Sequence, residues 1–343
     1  LWNNMVNRKM YVTGGLGARH DGEAFGDNYE LPNLTAYNET CAAIGGVMWA
    51  ERMFRLFGEA DFYNLLERML YNAVLPGISL DGTCFFYPNP LESDGEYKFN
   101  QSHLTRAGWF DCSCCPTNLI RFLPSLPGLI YHTEDDTVYV NLFAGNEAKL
   151  SLNGKEIFIK QITNYPLDGN ITMEISPEKK TNFTLKIRIP DWATNRFPSE
   201  LYRYENEIPY SYKILLNGET VNYIENKGYI EISRKWEKDD RITLEFPVAV
   251  RQISAHSLVK DDEGKIALSY GALVYCMEEI DNPNVFDKRL DASDFRIHLN
   301  ETKLGGMNEI IAANGANTWN LIPYYTWSNR GVGKMKVWLE KEQ

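Results

Sequence analysis

The stretch Asp111-Cys112-Ser113-Cys114-Cys115-Pro116-Thr117-Asn118 holds three of the chain's six cysteines within four residues and then reaches a proline that can open a helix. Cysteines this close together are typical of a disulfide, a metal site or a reactive thiol. A second cluster, Tyr37-Asn38-Glu39-Thr40-Cys41, offers a partner for them. The chemistry of the chain therefore depends on what these two clusters form together.

The composition bounds the class of protein. The 343 residues are enough for two or three domains, and 44% hydrophobic with 24% charged residues is typical of a globular protein. A net charge of −11 disfavours nucleic acid or an anionic membrane surface as a partner. No apolar run reaches transmembrane length, so no membrane partner is predicted. The compartment is left open between the cytoplasm and the periplasm of a bacterium.

The cysteine distribution favours metal binding or catalysis over a framework of disulfides. Five of the six cysteines lie within residues 41–115, and only Cys276 lies beyond them. A disulfide-stapled secreted domain would be shorter and more evenly bridged.

The first 133 residues are predicted to be helical, with long loops. Apolar spacing predicts helices over 36–57 and 60–74, joined by a short link as an antiparallel hairpin, and a shorter helix after Pro116. The Gly-rich segment 13–34 lacks the Gly-Lys-Ser/Thr ending of a phosphate loop, so it is interpreted as the wall of a site. So few helices indicate part of a larger helical barrel.

Beyond residue 136 the hydrophobic period changes to two, which predicts strands over 137–143, 183–189, 229–232 and 241–246. Two further strands are predicted within 264–276, a loop-rich segment over 281–317 and a last strand over 333–339. The fold class is therefore an α + β multidomain chain: a partial helical barrel over 1–133, a first antiparallel β-sandwich over 134–250 and a second over 251–343, whose last strand can return to the first.

Four side chains form a candidate metal site. Glu39, Cys41, Cys114 and Cys115 offer one oxygen and three sulfurs, a donor set that favours tetrahedral zinc. Residues i and i+2 do not face each other on a helix, so Glu39 and Cys41 converge only if the helix has not begun at Glu39. Pro116 is expected to be the first helical residue and to keep Cys115 out of the helix. At a helix N-terminus these cysteines would favour the thiolate form.

Each of these residues also has a plainer interpretation. Taken alone, Cys41 would be a small buried hydrophobic residue. The cysteines at 112, 114 and 115 would include a disulfide. Glu39 would be an acidic residue favoured in the first turn of a helix by the helix dipole. The metal site is favoured because the plainer interpretations require four coincidences in two short segments. Glu23 is either a solvated loop residue or a general acid whose pKa is raised by burial. His20 is interpreted in the first place as a polar loop residue and in the second place as a contact for the substrate.

Five segments of the chain resemble one known family. These segments are Gly14-Gly15 through Gly26, Ala36-Tyr37-Asn38-Glu39-Thr40-Cys41-Ala42, Phe86-Tyr87-Pro88-Asn89-Pro90-Leu91, Cys112-Ser113-Cys114-Cys115-Pro116-Thr117-Asn118 and Arg188-Ile189-Pro190-Asp191-Trp192. They resemble the β-L-arabinofuranosidases of glycoside hydrolase family 127, formerly a domain of unknown function. The resemblance implies an (α/α)6 barrel followed by β-sandwiches, and this chain matches only the C-terminal half of the family's length.

The resemblance also implies roles. Glu39, Cys41, Cys114 and Cys115 match the ligands of Zn2+, Cys114 matches the nucleophile and Glu23 matches the acid/base. Tyr87, Cys112 and His20 are expected to contact the substrate, an arabinose-containing glycan or glycopeptide. The implied mechanism is retaining, with a thioglycosyl intermediate on Cys114.

The implied partners are the N-terminal half of the barrel, without which the fragment is expected to show weak activity or none, and a homodimer formed through the β domains. The competing hypotheses are a related glycosidase acting on another furanose and a non-catalytic, zinc-stabilised carbohydrate-binding or assembly module. A third is another (α/α)6 enzyme, such as a lyase or an unsaturated glucuronyl hydrolase, with oxidised cysteines.

Overall fold

The structure is a computed structural model that describes residues 1–209, 211–291 and 294–342. Within these ranges the α-helices all lie before residue 123. They are α1 (Trp2–Arg8), α2 (Thr40–Phe57), α3 (Ala60–Met69) and α4 (Cys114–Phe122). No helix in the described ranges is long and apolar enough to cross a membrane.

Helices α2 and α3 pack against each other, as predicted for a hairpin. Helix α2 begins at Thr40 rather than near residue 36 and ends at Gly58, whose left-handed backbone (φ 65°) only glycine adopts readily. Helix α3 continues as a π-helical turn over Leu70–Val74 and ends in a 3-10 turn over Leu75–Gly77. The predicted stop at Pro76-Gly77 is confirmed.

The strands of the described residues are numbered here in chain order. They are β1 (Glu92–Ser93), β2 (Tyr131–Glu134), β3 (Thr137–Val140), β4 (Asn146–Leu152), β5 (Lys155–Thr163), β6 (Asn170–Pro177), β7 (Thr181–Arg188), β8 (Tyr202–Tyr204), β9 (Lys213–Leu216), β10 (Glu219–Thr220), β11 (Ile224–Asn226), β12 (Tyr229–Trp236), β13 (Asp240–Glu245), β14 (Val250–Ala255), β15 (Lys265–Tyr270), β16 (Leu273–Glu278), β17 (Asp294–Asn300), β18 (Met307–Ala313), β19 (Thr318–Pro323), β20 (Met335–Lys336) and β21 (Leu339–Glu340).

Two sheets with a shared core follow the helices. One has the order β11-β12-β7-β3-β2 and the other the order β10-β9-β13-β6-β5-β4. Alternate side chains, such as Ile187 on β7 and Ile175 on β6, are buried in the core that the two sheets share. The prediction of a purely antiparallel sandwich is wrong at one pair, because β3 and β7 run parallel. The chain passes through β4, β5 and β6 in the other sheet before β7 returns beside β3.

The third sheet contains the C-terminal strands together with two from earlier in the chain. Its order is β17-β18-β19-β16-β15-β14-β8, with β20 also paired to β16 and β1, and β21 paired to β15. On β16, Val274 and Cys276 face a core that includes loop residues of the helical region, whereas Tyr275 and Met277 face a second core. Strand β16, inside this sheet, is therefore buried on both faces.

The structure corrects two details of the C-terminal prediction. The segment 281–317, predicted to be loop-rich, contains β17 and β18. The last strand, predicted over 333–339, forms β20 and β21 within the third sheet. The boundaries at 133/134 and 250/251 stay predictions, and β8 pairs with β14 across the second of them. The coarse prediction, helices first and mostly antiparallel strands afterwards, is confirmed.

Buried polar contacts fix the helices to the sheets. Arg188 on β7 is fully buried and donates to Glu67 and Asn64 of α3. In the π-helical turn, Asn72 donates to the carbonyl of Ala272 at 2.9 Å and accepts from the backbone N–H of Val274 at 2.7 Å. The segment that runs from α3 through the π-helical turn is therefore hydrogen-bonded to both β regions.

Candidate active site and metal centre

The two cysteine-containing clusters of the sequence meet in the structure. Ligand atoms of Glu39, Cys41, Cys114 and Cys115 all lie within 4.8 Å of one another. Cys115 is buried and the other three residues are half-buried. The predicted juxtaposition of residues more than seventy positions apart is confirmed.

The N-terminus of α2 supplies the first pair of donors. Glu39 is the residue that precedes the helix, with an extended backbone (φ −64°, ψ 135°), and Cys41 is the second helical residue. Because the helix has not begun at Glu39, the two side chains converge as the sequence required. Asn38, with a left-handed φ of 38°, turns the chain just before them.

The N-terminus of α4 supplies the second pair, in a way that differs from the prediction. The helix begins at Cys114, so Cys115 is its second residue and Pro116 its third rather than its first. The proline is tolerated there because N–H groups in the first helical turn have no intrahelical partner. Both helix N-termini therefore point at the thiol cluster, and their partial positive charge favours anionic groups there.

The distances in the cluster fit a tetrahedral thiolate-rich metal site. Tetrahedral zinc with ordinary bond lengths separates two sulfurs by about 3.8 Å and a sulfur from an oxygen by about 3.6 Å. The Cys114 and Cys115 sulfurs are 3.9 Å apart, and Glu39 Oε1 lies 3.7 Å from the former and 3.3 Å from the latter. The donor set and its spacing therefore fit a tetrahedral metal ion such as Zn2+.

Burial and the hydrogen bonds between the thiols shift the pKa values of the residues in the cluster. Hydrogen bonding from Cys115 lowers the pKa of Cys41 to about 7, whereas burial raises the pKa of Cys114 to about 11. The hydrogen bond to Cys41, together with burial, raises the pKa of Cys115, and burial raises the pKa of Glu39. A cation in the cluster would favour the loss of these protons.

A row of hydrogen bonds leads from the cluster to Glu23. The Cys114 thiol donates to the Tyr87 hydroxyl (2.9 Å), which donates to Glu23 Oε1 (3.1 Å). Tyr87 is buried, and the Phe110 ring packs edge-on against it at 5.8 Å. The structure thus brings together the residues predicted as nucleophile, acid/base and substrate contact.

Glu23 is exposed rather than buried, so its setting is that of the solvated loop residue. It lies in a tight loop closed by backbone hydrogen bonds in both directions between Arg19 and Ala24 (3.0 and 3.1 Å). Its backbone φ of 50° is left-handed, which is uncommon for glutamate and costs about 1–3 kcal/mol. Strain of this kind is frequent where a fold must aim a functional side chain.

The other two predicted substrate contacts lie at the margin of the site. His20 is exposed, and its ring packs edge-on against Tyr37 at a centroid distance of 5.1 Å. Cys112 is exposed, lies two residues before Cys114 and is not part of the four-residue cluster. Neither position tests the predicted contact with substrate.

The structure does not support the disulfide interpretation. All six cysteines are free thiols. The 3.9 Å between the Cys114 and Cys115 sulfurs is far longer than a disulfide bond of about 2.05 Å.

Several residues that position the site were not singled out from the sequence. The Tyr37 hydroxyl donates to Glu23 Oε1 at 2.8 Å. The Asn89 side chain donates to the Asn38 carbonyl and to Thr40 Oγ1, both at 2.9 Å, and thereby holds the segment that carries Glu39. Both asparagines lie inside the quoted motifs, but nothing local distinguishes them from ordinary loop asparagines.

Family models match almost the whole chain. The model described as the GH127 catalytic domain of beta-L-arabinofuranosidase matches residues 1–128. The GH127 middle domain matches residues 137–248, and the glycoside hydrolase family 127 C-terminal domain matches residues 250–340. The chain belongs to glycoside hydrolase family 127. The resemblance found in the motifs is thereby confirmed.

Relatives in this family are similar over the full length of the chain. A non-reducing end beta-L-arabinofuranosidase from Bifidobacterium longum subsp. longum is 32% identical over 372 aligned residues, covering 98% of this chain and 54% of the relative. A solved GH127 beta-arabinofuranosidase is 41% identical with a TM-score of 0.92, covering 100% of this chain and 55% of its own. A GH127 beta-L-arabinofuranosidase from Geobacillus stearothermophilus T6 is 36% identical with a TM-score of 0.89, covering 100% of this chain and 56% of its own. The chain thus spans about half the length of the relatives it matches.

Proposed function

We propose that this chain carries the catalytic centre of a retaining glycoside hydrolase that releases β-L-arabinofuranose from an arabinose-containing glycan or glycopeptide. Cys114 is the nucleophile and Glu23 the general acid/base. Glu39, Cys41, Cys114 and Cys115 would hold Zn2+. The support is the family membership, the relatives named as beta-L-arabinofuranosidases and the geometry of the thiol cluster.

The observation that carries the proposal is the hydrogen-bonded row from Cys114 through Tyr87 to Glu23. Bonds of 2.9 and 3.1 Å that meet at one hydroxyl oxygen leave at most about 6 Å between the sulfur and Glu23 Oε1. Retaining glycosidases separate their two catalytic groups by about 5–5.5 Å and inverting ones by about 6.5–9.5 Å. The short separation favours direct attack by the sulfur over attack by an interposed water.

The chemistry follows from these two groups. The Cys114 thiolate forms a bond to the anomeric carbon as the bond to the leaving oxygen breaks, and Glu23 transfers its proton to that oxygen. Glu23, now a carboxylate, then removes a proton from water. The water oxygen bonds to the anomeric carbon and the sulfur departs as a thiolate. When bound, zinc would stabilise the thiolate form at neutral pH and restrain the sulfur.

The helices are proposed to belong to an (α/α)6 barrel of which this chain holds a part. The support is that the family's catalytic-domain model matches the helical region and that the relatives are nearly twice as long. Within that barrel Tyr87, Cys112 and His20 are proposed to face the sugar. The homodimer through the β domains stays a prediction.

The test compares Cys114→Ser and Glu23→Gln with the unsubstituted protein, using an aryl β-L-arabinofuranoside as substrate and measuring zinc content in parallel. Losing the acid/base is expected to lower kcat/KM by about 100- to 10,000-fold while bound zinc is retained. Full activity in either variant would refute the proposed roles. Loss of zinc and folding in both, without any hydrolysis by the unsubstituted protein, would instead support the alternative of a zinc-stabilised carbohydrate-binding or assembly module.

A further inference from the structure

A second tyrosine, Tyr37, also contacts Glu23. Tyr37 is buried, and its hydroxyl donates to Glu23 Oε1 at 2.8 Å. It lies two residues before Glu39, so one short segment carries both this tyrosine and the first metal ligand. The Tyr37 and Tyr87 rings approach each other at a centroid distance of 6.1 Å.

The two tyrosines donate to the same carboxylate oxygen. Tyr37 and Tyr87 both bind Glu23 Oε1, at 2.8 and 3.1 Å. Among the described residues, Glu23 Oε2 accepts no hydrogen bond. An oxygen that accepts two hydroxyl donors is the poorer site for a proton, so the proton of the acid form resides on Oε2.

The loop fixes the backbone of Glu23, but its exposed side chain takes its position from contacts outside the loop. The side chain is exposed, the loop is short and the backbone at Glu23 is left-handed. The Tyr37 ring is buried and also packs edge-on against His20. The rigid partner in this pair is therefore the tyrosine, and the carboxylate takes its position from it.

We propose that Tyr37 is a positioning residue for proton transfer: its hydroxyl fixes Glu23 Oε1 and leaves Oε2 as the oxygen that protonates the leaving group. This rests on the proposed role of Glu23 as the acid/base. Tyr37 itself neither gives nor takes a proton in the reaction.

The first test uses Tyr37→Phe and two substrates, 2,4-dinitrophenyl and 4-methoxyphenyl β-L-arabinofuranoside. Dinitrophenolate departs without protonation, whereas 4-methoxyphenolate needs the acid. We expect kcat/KM, which reports the first bond cleavage, to fall by about 10- to 100-fold for the methoxyphenyl substrate and by less than about threefold for the dinitrophenyl substrate. Equal activity on both substrates in variant and unsubstituted protein would overturn the proposal.

The control is Tyr202→Phe. Tyr202 is also buried, and its hydroxyl donates to the Met10 carbonyl at 2.8 Å, the same length as the bond that Tyr37 makes. The Tyr202→Phe variant should be less stable, but any change in its kcat/KM should be the same for the two substrates. Measuring zinc content distinguishes the positioning role from a merely structural one. If Tyr37→Phe loses zinc and loses activity equally on both substrates, Tyr37 only supports the segment that carries Glu39, and the proposal fails.

A second measurement does not depend on turnover. Crystal structures of the unsubstituted protein and Tyr37→Phe are expected to differ at Glu23, whose carboxylate should leave its position beside Tyr87 in the variant. An unmoved carboxylate would overturn the positioning role even if the protein proves inactive. Absence of hydrolysis by a chain that includes the N-terminal half of the barrel, with the carboxylate displaced only in the variant, would overturn the proposed function and leave Tyr37 as a residue that holds the Glu23 side chain without a role in catalysis.

Discussion

The Cys115 sulfur lies 3.3 Å from Glu39 Oε1, although 76 positions separate the two residues. This contact joins the N-terminus of α4 to that of α2, which pack against each other. Both residues belong to the cluster proposed to bind zinc. A metal bound there would tie the two helices together, and its loss should weaken the helical region.

Zinc binding is therefore the first prediction. The chain should bind one equivalent of zinc, and Cys115→Ser should weaken binding by more than about 100-fold, because even indirect neighbours of metal ligands contribute 10- to 100-fold. Free zinc at a thousand times the dissociation constant should raise the free energy of unfolding by about 4 kcal/mol. Competition with a chromogenic chelator and thermal melts with and without chelator measure both effects.

The control for that prediction is Cys84→Ser. Cys84 is half-buried and lies outside the four-residue cluster. Its replacement should leave zinc affinity unchanged. Equal weakening by both substitutions, or no zinc under reducing conditions, would contradict the proposed site.

The meeting of Glu39, Cys41, Cys114 and Cys115 was predictable from the sequence because the chemistry of this cluster lies in its residue types. Thiols and a carboxylate in two short segments leave few alternatives, whichever path the chain takes between them. The residues that hold the site were not predictable, because Tyr37, Asn38 and Asn89 act only through contacts that the tertiary fold creates. The start of α4 was also misplaced, since Pro116 is tolerated at any position of a first turn and does not specify which one.

Among the strands, too, features set by the local sequence were predictable and features set by distant contacts were not. Period-two alternation located β7, β12 and β13, whose inner faces are buried. Strand β17 has the same alternation at Phe295 and Ile297, but both are only partly buried at a sheet edge among polar residues, and the segment was interpreted as loop. The pairing of β8 with β14 follows from no local pattern.

The buried ion pair between α3 and β7 should be costly to break. Arg188 and Glu67 are almost fully buried, and the guanidinium also donates to the Asn141 carbonyl at 2.6 Å. Glu67→Ala should lower the free energy of unfolding by about 3–5 kcal/mol, because it leaves a buried charge without its partner. Urea unfolding measures the loss. Replacing Glu147, which pairs with Lys160 on the surface, should change stability little, and an equal loss there would contradict this explanation.

Asp262 should make stability depend on pH. It is buried, Asn33 donates to its Oδ1 at 2.8 Å, and burial raises its pKa to about 7. Between about pH 4 and 7 the unfolded chain releases this proton while the folded protein retains it, so stability falls as pH rises and levels off above pH 7. The loss is up to about 4 kcal/mol.

Asp262→Asn keeps the acceptor for Asn33 and removes the titration. Urea unfolding should therefore show the variant more stable than the unsubstituted protein at about pH 8, with little difference at about pH 4.5. The neighbouring Asp261 is exposed, and Asp261→Asn should leave the pH dependence unchanged. If the free energy of unfolding of Asp262→Asn still falls as pH rises from about 4 to 7, another group causes the pH dependence.

Alanine substitution should have opposite effects on stability at two glycines, Gly15 and Gly45, because only Gly15 lies close to another residue. A Cβ at Gly15 would lie 2.5 Å from Asn38 Oδ1, so Gly15→Ala must displace the buried Asn38 side chain, which lies between Tyr37 and Glu39 in the sequence. We expect a loss of about 1–3 kcal/mol in unfolding free energy together with weaker zinc binding. Gly45 lies exposed inside α2 with nothing within 4 Å of an added Cβ, so Gly45→Ala should instead stabilise the protein by about 0.5–1 kcal/mol and leave zinc affinity unchanged. Urea unfolding and chelator competition on both variants measure the contrast. Unchanged zinc affinity in Gly15→Ala would mean that the metal ligands keep their positions without this contact.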